Sequence, residues 1–86
     1  MTPAQQDAVC AALNAIPSAE FYESLKRDAI VAVMGTLVCE EASATEIFEQ
    51  MERDGIVRTE LTPRGDPNGL EGPIPTARLK FLATHN

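Results

Sequence analysis

The stretch that decides the fold is residues 27–61, RDAIVAVMGTLVCEEASATEIFEQMERDGIVRTEL, because the spacing of its apolar residues changes at Gly55. Before this glycine, apolar side chains recur every three or four residues, as on one face of a helix: Ala44, Ile47, Phe48 and Met51. After it, one face alternates with charged residues, as in a half-buried strand: Val57, Thr59 and Leu61. The stretch therefore predicts a helix over about residues 44–54 that is followed directly by a strand.

Both ends of this helix carry sequence signals. The segment 43–46, Ser-Ala-Thr-Glu, has the spacing of a capping box, which predicts Ser43 as the N-cap after a short connection over residues 40–42. At the other end, Gly55 lies where a left-handed C-terminal cap is expected. Ile56 is then expected to pack back on Met51, as in a Schellman motif.

Two helical regions are predicted upstream. Thr2 and Gln5 form a second capping box around Pro3, so a first helix is expected over about residues 3–16, ended by Pro17. Ser18 is predicted to cap a second region over residues 18–38. A break near residues 26–28 is expected there, with Asp28 at the start of a new helix. The nearly uncharged stretch 30–38 is placed at the centre of the core.

The last third of the chain predicts a hairpin. Ala77, Leu79 and Phe81 alternate with Arg78 and Lys80, as in a second strand. Seven of the thirteen residues 63–75 are glycine or proline, which predicts a long loop, and residues 84–86 form a tail. The expected fold class is α+β in a single domain, residues 1–86. It consists of a bundle of three helices, or four if the second region is broken, followed by a two-stranded β-hairpin wing.

Composition and charge limit the classes of partner that the chain is expected to bind. The chain of 86 residues has a net charge of −6. Residues 1–56 carry ten acidic and three basic side chains, whereas residues 57–86 carry three acidic and four basic ones. This balance disfavours nucleic acids and anionic membranes as partners, although DNA stays open as an alternative. The longest uncharged runs, residues 8–19 and 29–39, are each only about half of a membrane span, so no membrane segment is expected.

The sequence gives little support for catalysis. The single histidine, His85, lies beside the C-terminus, so no zinc site and no histidine-based catalytic set is expected. Cys10 and Cys39 are interpreted as two small buried hydrophobic residues with free thiols, with a disulfide as the alternative. We expect no enzyme, no metal and no cofactor. The N-terminus lacks the pattern of a signal peptide, which predicts a cytoplasmic protein.

The order of elements resembles a winged-helix domain, with residues 27–61 as its core. The local string EQMERDGIV, residues 49–57, is also similar to the winged-helix gamma domain of bacterial DNA translocases. The resemblance implies that the exposed side of the third helix faces a DNA major groove and that the wing contacts phosphate or the minor groove. It therefore places the following residues toward DNA: Thr45, Glu46, Glu49, Gln50, Glu52 and Arg53.

Charge on this face departs from the family pattern. Three glutamates against one arginine would repel the phosphates of a duplex. We therefore interpret the face as binding protein, either a second copy of this chain or another protein. The candidate residues are Glu46, Glu49, Gln50, Glu52 and Arg53. The first helix is a further candidate, as an arm for dimerisation.

The basic residues of the wing support an alternative function, which is contact with nucleic acid. The candidates for contact with nucleic acid are Arg58, Arg64, Arg78 and Lys80, although Glu60 on the same face could pair with Lys80 or Arg78 across the hairpin. The leading hypothesis is thus a small acidic winged-helix-like regulatory or protein-interaction module. One alternative is a transcription regulator that contacts DNA through the wing. A second is an acidic inhibitor whose glutamates imitate phosphates.

Overall fold

A computed structural model of the chain describes residues 1–62 and 78–84, and in them three helices precede a two-stranded hairpin. These elements are α1 (Pro3–Asn14), α2 (Tyr22–Leu37), α3 (Glu41–Arg53), β1 (Val57–Thr62) and β2 (Arg78–Ala83). The strands pair antiparallel. The α+β class and the order of elements are confirmed. The predicted loop over residues 63–75, with Arg64, lies outside the described residues, as do Ala77 and His85.

The N-terminus of α1 forms as the sequence predicts. The backbone N–H of Gln5 donates to Thr2 Oγ1 over 3.1 Å, and the N–H of Thr2 donates to Gln5 Oε1 over 2.8 Å. Pro3 occupies the first turn, where its missing N–H is not needed. The helix ends at Asn14, two residues earlier than expected.

Helix α2 begins at Tyr22, so the prediction that Ser18 caps it is wrong. Two residues of the connection between α1 and α2, Ser18 and Ala19, contact the hairpin instead. Ala19 bridges to Leu79 of β2 through two backbone hydrogen bonds of 2.9 and 2.7 Å. Ser18 itself accepts hydrogen bonds from Arg78. Pairing with β2 thus keeps residue 19 extended and delays the helix.

The predicted break inside the second region is also wrong, because α2 runs without interruption through residues 26–28. Asp28 therefore starts no helix. Nor does the uncharged stretch lie wholly in the core. Val33 is buried, whereas Val31 is 61% exposed and Val38 is 89% exposed. Helices α1 and α3 both pack against α2, but they leave the side chains of Val31 and Val38 uncovered.

Helix α3 begins at Glu41, three residues before the predicted start. Its N-cap, Glu40, makes no side-chain capping bond, and Ser43 lies inside the helix, so the capping box predicted over residues 43–46 is wrong. The C-terminus is confirmed. Gly55 has φ 78°, and the N–H of Ile56 donates to the carbonyl of Met51 over 3.0 Å, as in a Schellman motif.

Gly55→Ala is expected to lower the free energy of unfolding by about 1 kcal/mol, because an alanine at positive φ is strained. A Cβ added at Gly55 meets no atom within 4 Å, so steric clash adds nothing to this effect. Urea titration of the variant measures it. Ser43→Ala is the control and should not destabilise, since alanine is the better residue inside an exposed helix. Equal losses in both variants would contradict the observed start of α3.

The hairpin packs on the helices through β2. In its register Val57 faces Ala83, Thr59 faces Phe81 and Glu60 faces Lys80. Helices α1 and α2 both pack against β2, and Phe81 is buried as predicted. Of residues 57–61 on β1, only Val57 is buried, whereas Leu61 is 69% exposed. The predicted burial of Thr59 and Leu61 is therefore wrong, because β1 is the outer strand.

The core joins all three helices to the hairpin. Its aromatic centre is the edge-to-face pair of Phe48 and Phe81, whose ring centroids are 5.2 Å apart, and the ring of Tyr22 is also edge-on to Phe81 at 6.4 Å. Both cysteines are free, as predicted. Cys10 is buried, and this burial, together with the carboxylate of Asp7, raises the pKa of its thiol. Cys39 is only half-buried. No helix in the described part of the chain is long and apolar enough to cross a membrane.

Candidate protein-interaction surface

The five predicted interaction residues lie on two different sides of helix α3. Glu46, Gln50 and Arg53 are exposed. Glu49 and Glu52 are half-buried beside α2. One turn of helix separates the members of each group, so each group forms its own row along α3.

The row beside α2 holds the two helices together. The hydroxyl of Tyr22 donates to Glu52 Oε2 over 2.6 Å, and Lys26 Nζ lies 3.4 Å from Glu49 Oε2. Burial raises the pKa of the Tyr22 hydroxyl, and the hydrogen bond to Glu52 raises it further. Both carboxylates are thus engaged within the domain. The sequence pattern placed them on a free face because it could not locate α2.

The exposed row borders a groove of about 440 Å³ between the start of α1 and the second half of α3. Apolar side chains lie beside polar ones in its lining: Met1, Gln6, Glu46, Ile47, Gln50, Met51, Arg53, Asp54 and Ile56. The turn at Gly55 brings Ile56 back to the helix. Within the rim, Gln50 Nε2 donates to Asp54 Oδ1 over 3.0 Å. We call this feature the α3 groove.

The sequence predicted the exposed residues beside the α3 groove but not the groove itself. Ile47 and Met51 were assigned to the core, where Met51 is buried, whereas Ile47 is only half-buried. Met1 and Gln6 join the groove only through the packing of α1, for which the sequence carries no local signal. The position of Ile56 could have been inferred from the predicted Schellman turn.

Two of the four basic residues predicted to contact nucleic acid are bonded to the end of α1 and to the connection that follows it. Arg78 donates from Nε to Ser18 Oγ over 3.1 Å and from Nη2 to the Ser18 carbonyl over 2.9 Å, and its Nη1 lies 3.7 Å from Glu20 Oε1. Lys80 Nζ donates to the carbonyls of Asn14 and Ile16 over 2.7 and 2.9 Å. These carbonyls follow the end of α1, where a cation is favoured.

The other basic candidates differ from these two. Arg58 is exposed on β1, opposite Leu82. Arg64 lies outside the described residues. Glu60 is directly opposite Lys80, as the hairpin prediction requires, but the ammonium group of Lys80 is bonded to the end of α1. The expected cross-strand pair is therefore replaced by bonds to backbone carbonyls.

Within residues 1–62 and 78–84, no group of three or more His, Cys, Asp or Glu side chains is placed to hold a metal ion. No protein-family model, no curated protein and no solved structure matches the chain. The surfaces described above are therefore the basis for assigning a function.

Proposed function

We propose that this chain is a small winged-helix-like interaction module that binds another protein through the α3 groove. The order of three helices and an antiparallel hairpin supports the winged-helix part of the proposal. The bridge between Ala19 and Leu79 also supports it, since it fixes the hairpin beside the helices.

The groove itself is the observation that carries the binding proposal. Protein interfaces combine an apolar centre with a polar rim. The α3 groove has this composition, with Ile47, Met51 and Ile56 in its lining and charged side chains beside them. Its acidic groups, Glu46 and Asp54, outnumber the single arginine. The partner that fits best is therefore a protein segment with apolar and basic side chains.

DNA binding through the wing is the second candidate. The exposed guanidinium of Arg58 favours it, and Arg64 adds a second positive charge in sequence. Against it, the donors of Arg78 and Lys80 already serve backbone and side-chain acceptors of the domain. A phosphate contact would have to replace these bonds. Imitation of phosphates by glutamates is less well supported, because Glu49 and Glu52 are engaged with α2.

Reversal of one charge on the rim tests the proposal. We expect Glu46→Lys to weaken binding of the partner about tenfold, because a basic segment then meets like charge. The partner is identified as a protein from the source cells that immobilised wild-type chain retains, and its affinity is then measured with purified components by calorimetry. Glu60→Lys makes the same charge change on exposed β1 and should leave the affinity unchanged.

Two results would contradict the proposal. In the first, Glu46→Lys and Glu60→Lys have the same affinity for every retained protein. In the second, the chain binds duplex DNA with an affinity that falls steeply with salt and is lost in Arg58→Glu, which would favour the wing instead.

A further inference from the structure

Helix α2 presents an apolar row at the border between its core-facing side and solvent. Ile30, Val31, Met34 and Val38 follow one another at helical spacing, and we call them the α2 stripe. Val31 and Val38 are mostly exposed, and Ile30 and Met34 are half-buried. Ile30, Val31 and Met34 line a second groove of about 440 Å³, whose other lining residues are Glu23, Lys26, Arg27 and Glu41.

Val38 stands out in this stripe because its backbone is strained. It ends α2 with φ 52° and ψ 59°, a left-handed conformation that β-branched residues rarely adopt. Gly55 meets the same requirement at the end of α3 without strain. With 89% of its surface exposed, the Val38 side chain gains almost no burial within one copy of the chain. Burial against a second surface would give this side chain a stabilising role.

The charges that flank the stripe have opposite net signs at its two ends, because Lys26 and Arg27 outnumber Glu23 at one end and Glu41 lies at the other. Arg27 lies one helical turn before Val31, and Glu41 lies beside Met34 in the groove, at the start of α3. Both side chains are exposed, and neither forms an ion pair within the described ranges. Positions 27 and 34 are about 10 Å apart along the axis of α2, so the two charges are separated.

This arrangement is complementary to itself. If two copies of α2 pack antiparallel about a two-fold axis, the basic end of each stripe meets the acidic end of the other. Such an isologous contact brings Arg27 of each copy to Glu41 of the other and covers both stripes. A parallel arrangement would instead place like charges together at both ends, which is unfavourable.

We propose that the α2 stripe is the contact surface of a symmetric dimer of this chain, held by apolar packing and by two equivalent pairs of Arg27 with Glu41. The stripe is small, so the dimer is weak and forms in a concentration-dependent way. The contact is separate from the α3 groove, and its test does not depend on the identity of any other protein.

Charge exchange in the full chain tests this proposal by sedimentation equilibrium. Arg27→Glu or Glu41→Arg alone puts like charges together at both contacts, and each is expected to raise the dimer dissociation constant about tenfold or more. Mixing equal amounts of the two variants should restore the dimer, because each contact of the mixed dimer joins one acid to one base. The double variant Arg27→Glu with Glu41→Arg should also restore it.

Controls separate this effect from unfolding and from other contacts. Arg58→Glu changes the charge by the same amount on β1 and should leave the dissociation constant unchanged. Circular dichroism should show that both single variants fold, with a melting temperature lowered by no more than a few degrees in Glu41→Arg, which puts a base in the first turn of α3. A wild-type chain that stays monomeric at every concentration would overturn the proposal. A dimer that is insensitive to both exchanges would do so too, and would direct attention to another surface, such as α1.

Discussion

Phe81→Ala is expected to lower the free energy of unfolding by about 3–5 kcal/mol, which is a large share of the roughly 5–15 kcal/mol typical of a folded domain. The side chain is 1% exposed and stands between Phe48 and Tyr22. Its removal opens a cavity at the place where the hairpin meets α2 and α3. The lost edge-to-face contacts add to the lost burial. Chemical denaturation monitored by circular dichroism measures the effect.

Leu61→Ala is the matched control for Phe81→Ala, because it also removes a large apolar side chain from the same hairpin. Since Leu61 is 69% exposed, its loss should change the free energy of unfolding by less than about 0.5 kcal/mol. Similar losses in the two variants would mean that β1 is covered by other parts of the chain. The packing of the hairpin through β2 would then be wrong.

Asn14→Ala is expected to destabilise the domain by about 2 kcal/mol, although Asn14 looks like an ordinary residue at the end of α1. Its side-chain amide forms the two hydrogen bonds with β2 that the backbone of a neighbouring strand would form. Nδ2 donates to the carbonyl of Ala83, and Oδ1 accepts from the N–H of the same residue, both over 2.8 Å. Alanine removes both bonds and leaves two backbone groups of β2 without these partners.

Asn14→Asp separates the two bonds. A carboxylate still accepts from the N–H of Ala83, but it faces the carbonyl oxygen of Ala83 where Nδ2 donated before. We expect a loss of stability at least as large as one hydrogen bond, about 1 kcal/mol, at neutral pH. Thermal unfolding of Asn14→Ala and Asn14→Asp measures both losses of stability. A wild-type melting temperature in Asn14→Ala would show that water replaces the amide without loss.

Local signals predicted the parts of the fold that local geometry decides. The capping box of Thr2 and Gln5 and the positive φ of Gly55 each depend on a few consecutive residues, and both are confirmed. The buried row of α3 is confirmed for Ala44, Phe48 and Met51, because helical spacing alone defines one face.

Contacts between distant residues decided the places where prediction failed. Ser18 and Ser43 both belong to a residue type that commonly caps the N-terminus of a helix. However, Ala19 pairs with β2, and α3 begins two residues before Ser43 without a capping side chain. The predicted burial of the uncharged stretch in α2 failed at Val31 and Val38, because a domain with three helices covers only one side of α2.

The sequence predicted which residues on the rim of the α3 groove are exposed, but it did not predict the contacts of the glutamates beside them. Helical spacing gave the exposed positions of Glu46, Gln50 and Arg53. Whether a glutamate faces solvent or a neighbouring helix depends on the packing of α2, so the roles of Glu49 and Glu52 required coordinates. The engagement of Lys80 by the end of α1 likewise joins residues that are more than sixty positions apart.

The bonds between the end of α1 and β2 have a consequence for biosynthesis. Asn14 and Ala83 are separated by 69 positions, so a nascent chain has completed α1 long before its final partner has been translated. Helices α1, α2 and α3 can collapse early, but Phe81 closes their core only when β2 has left the ribosome. Until then the apolar faces of the helices lack this cover, and we expect the docking of β2 to complete the core.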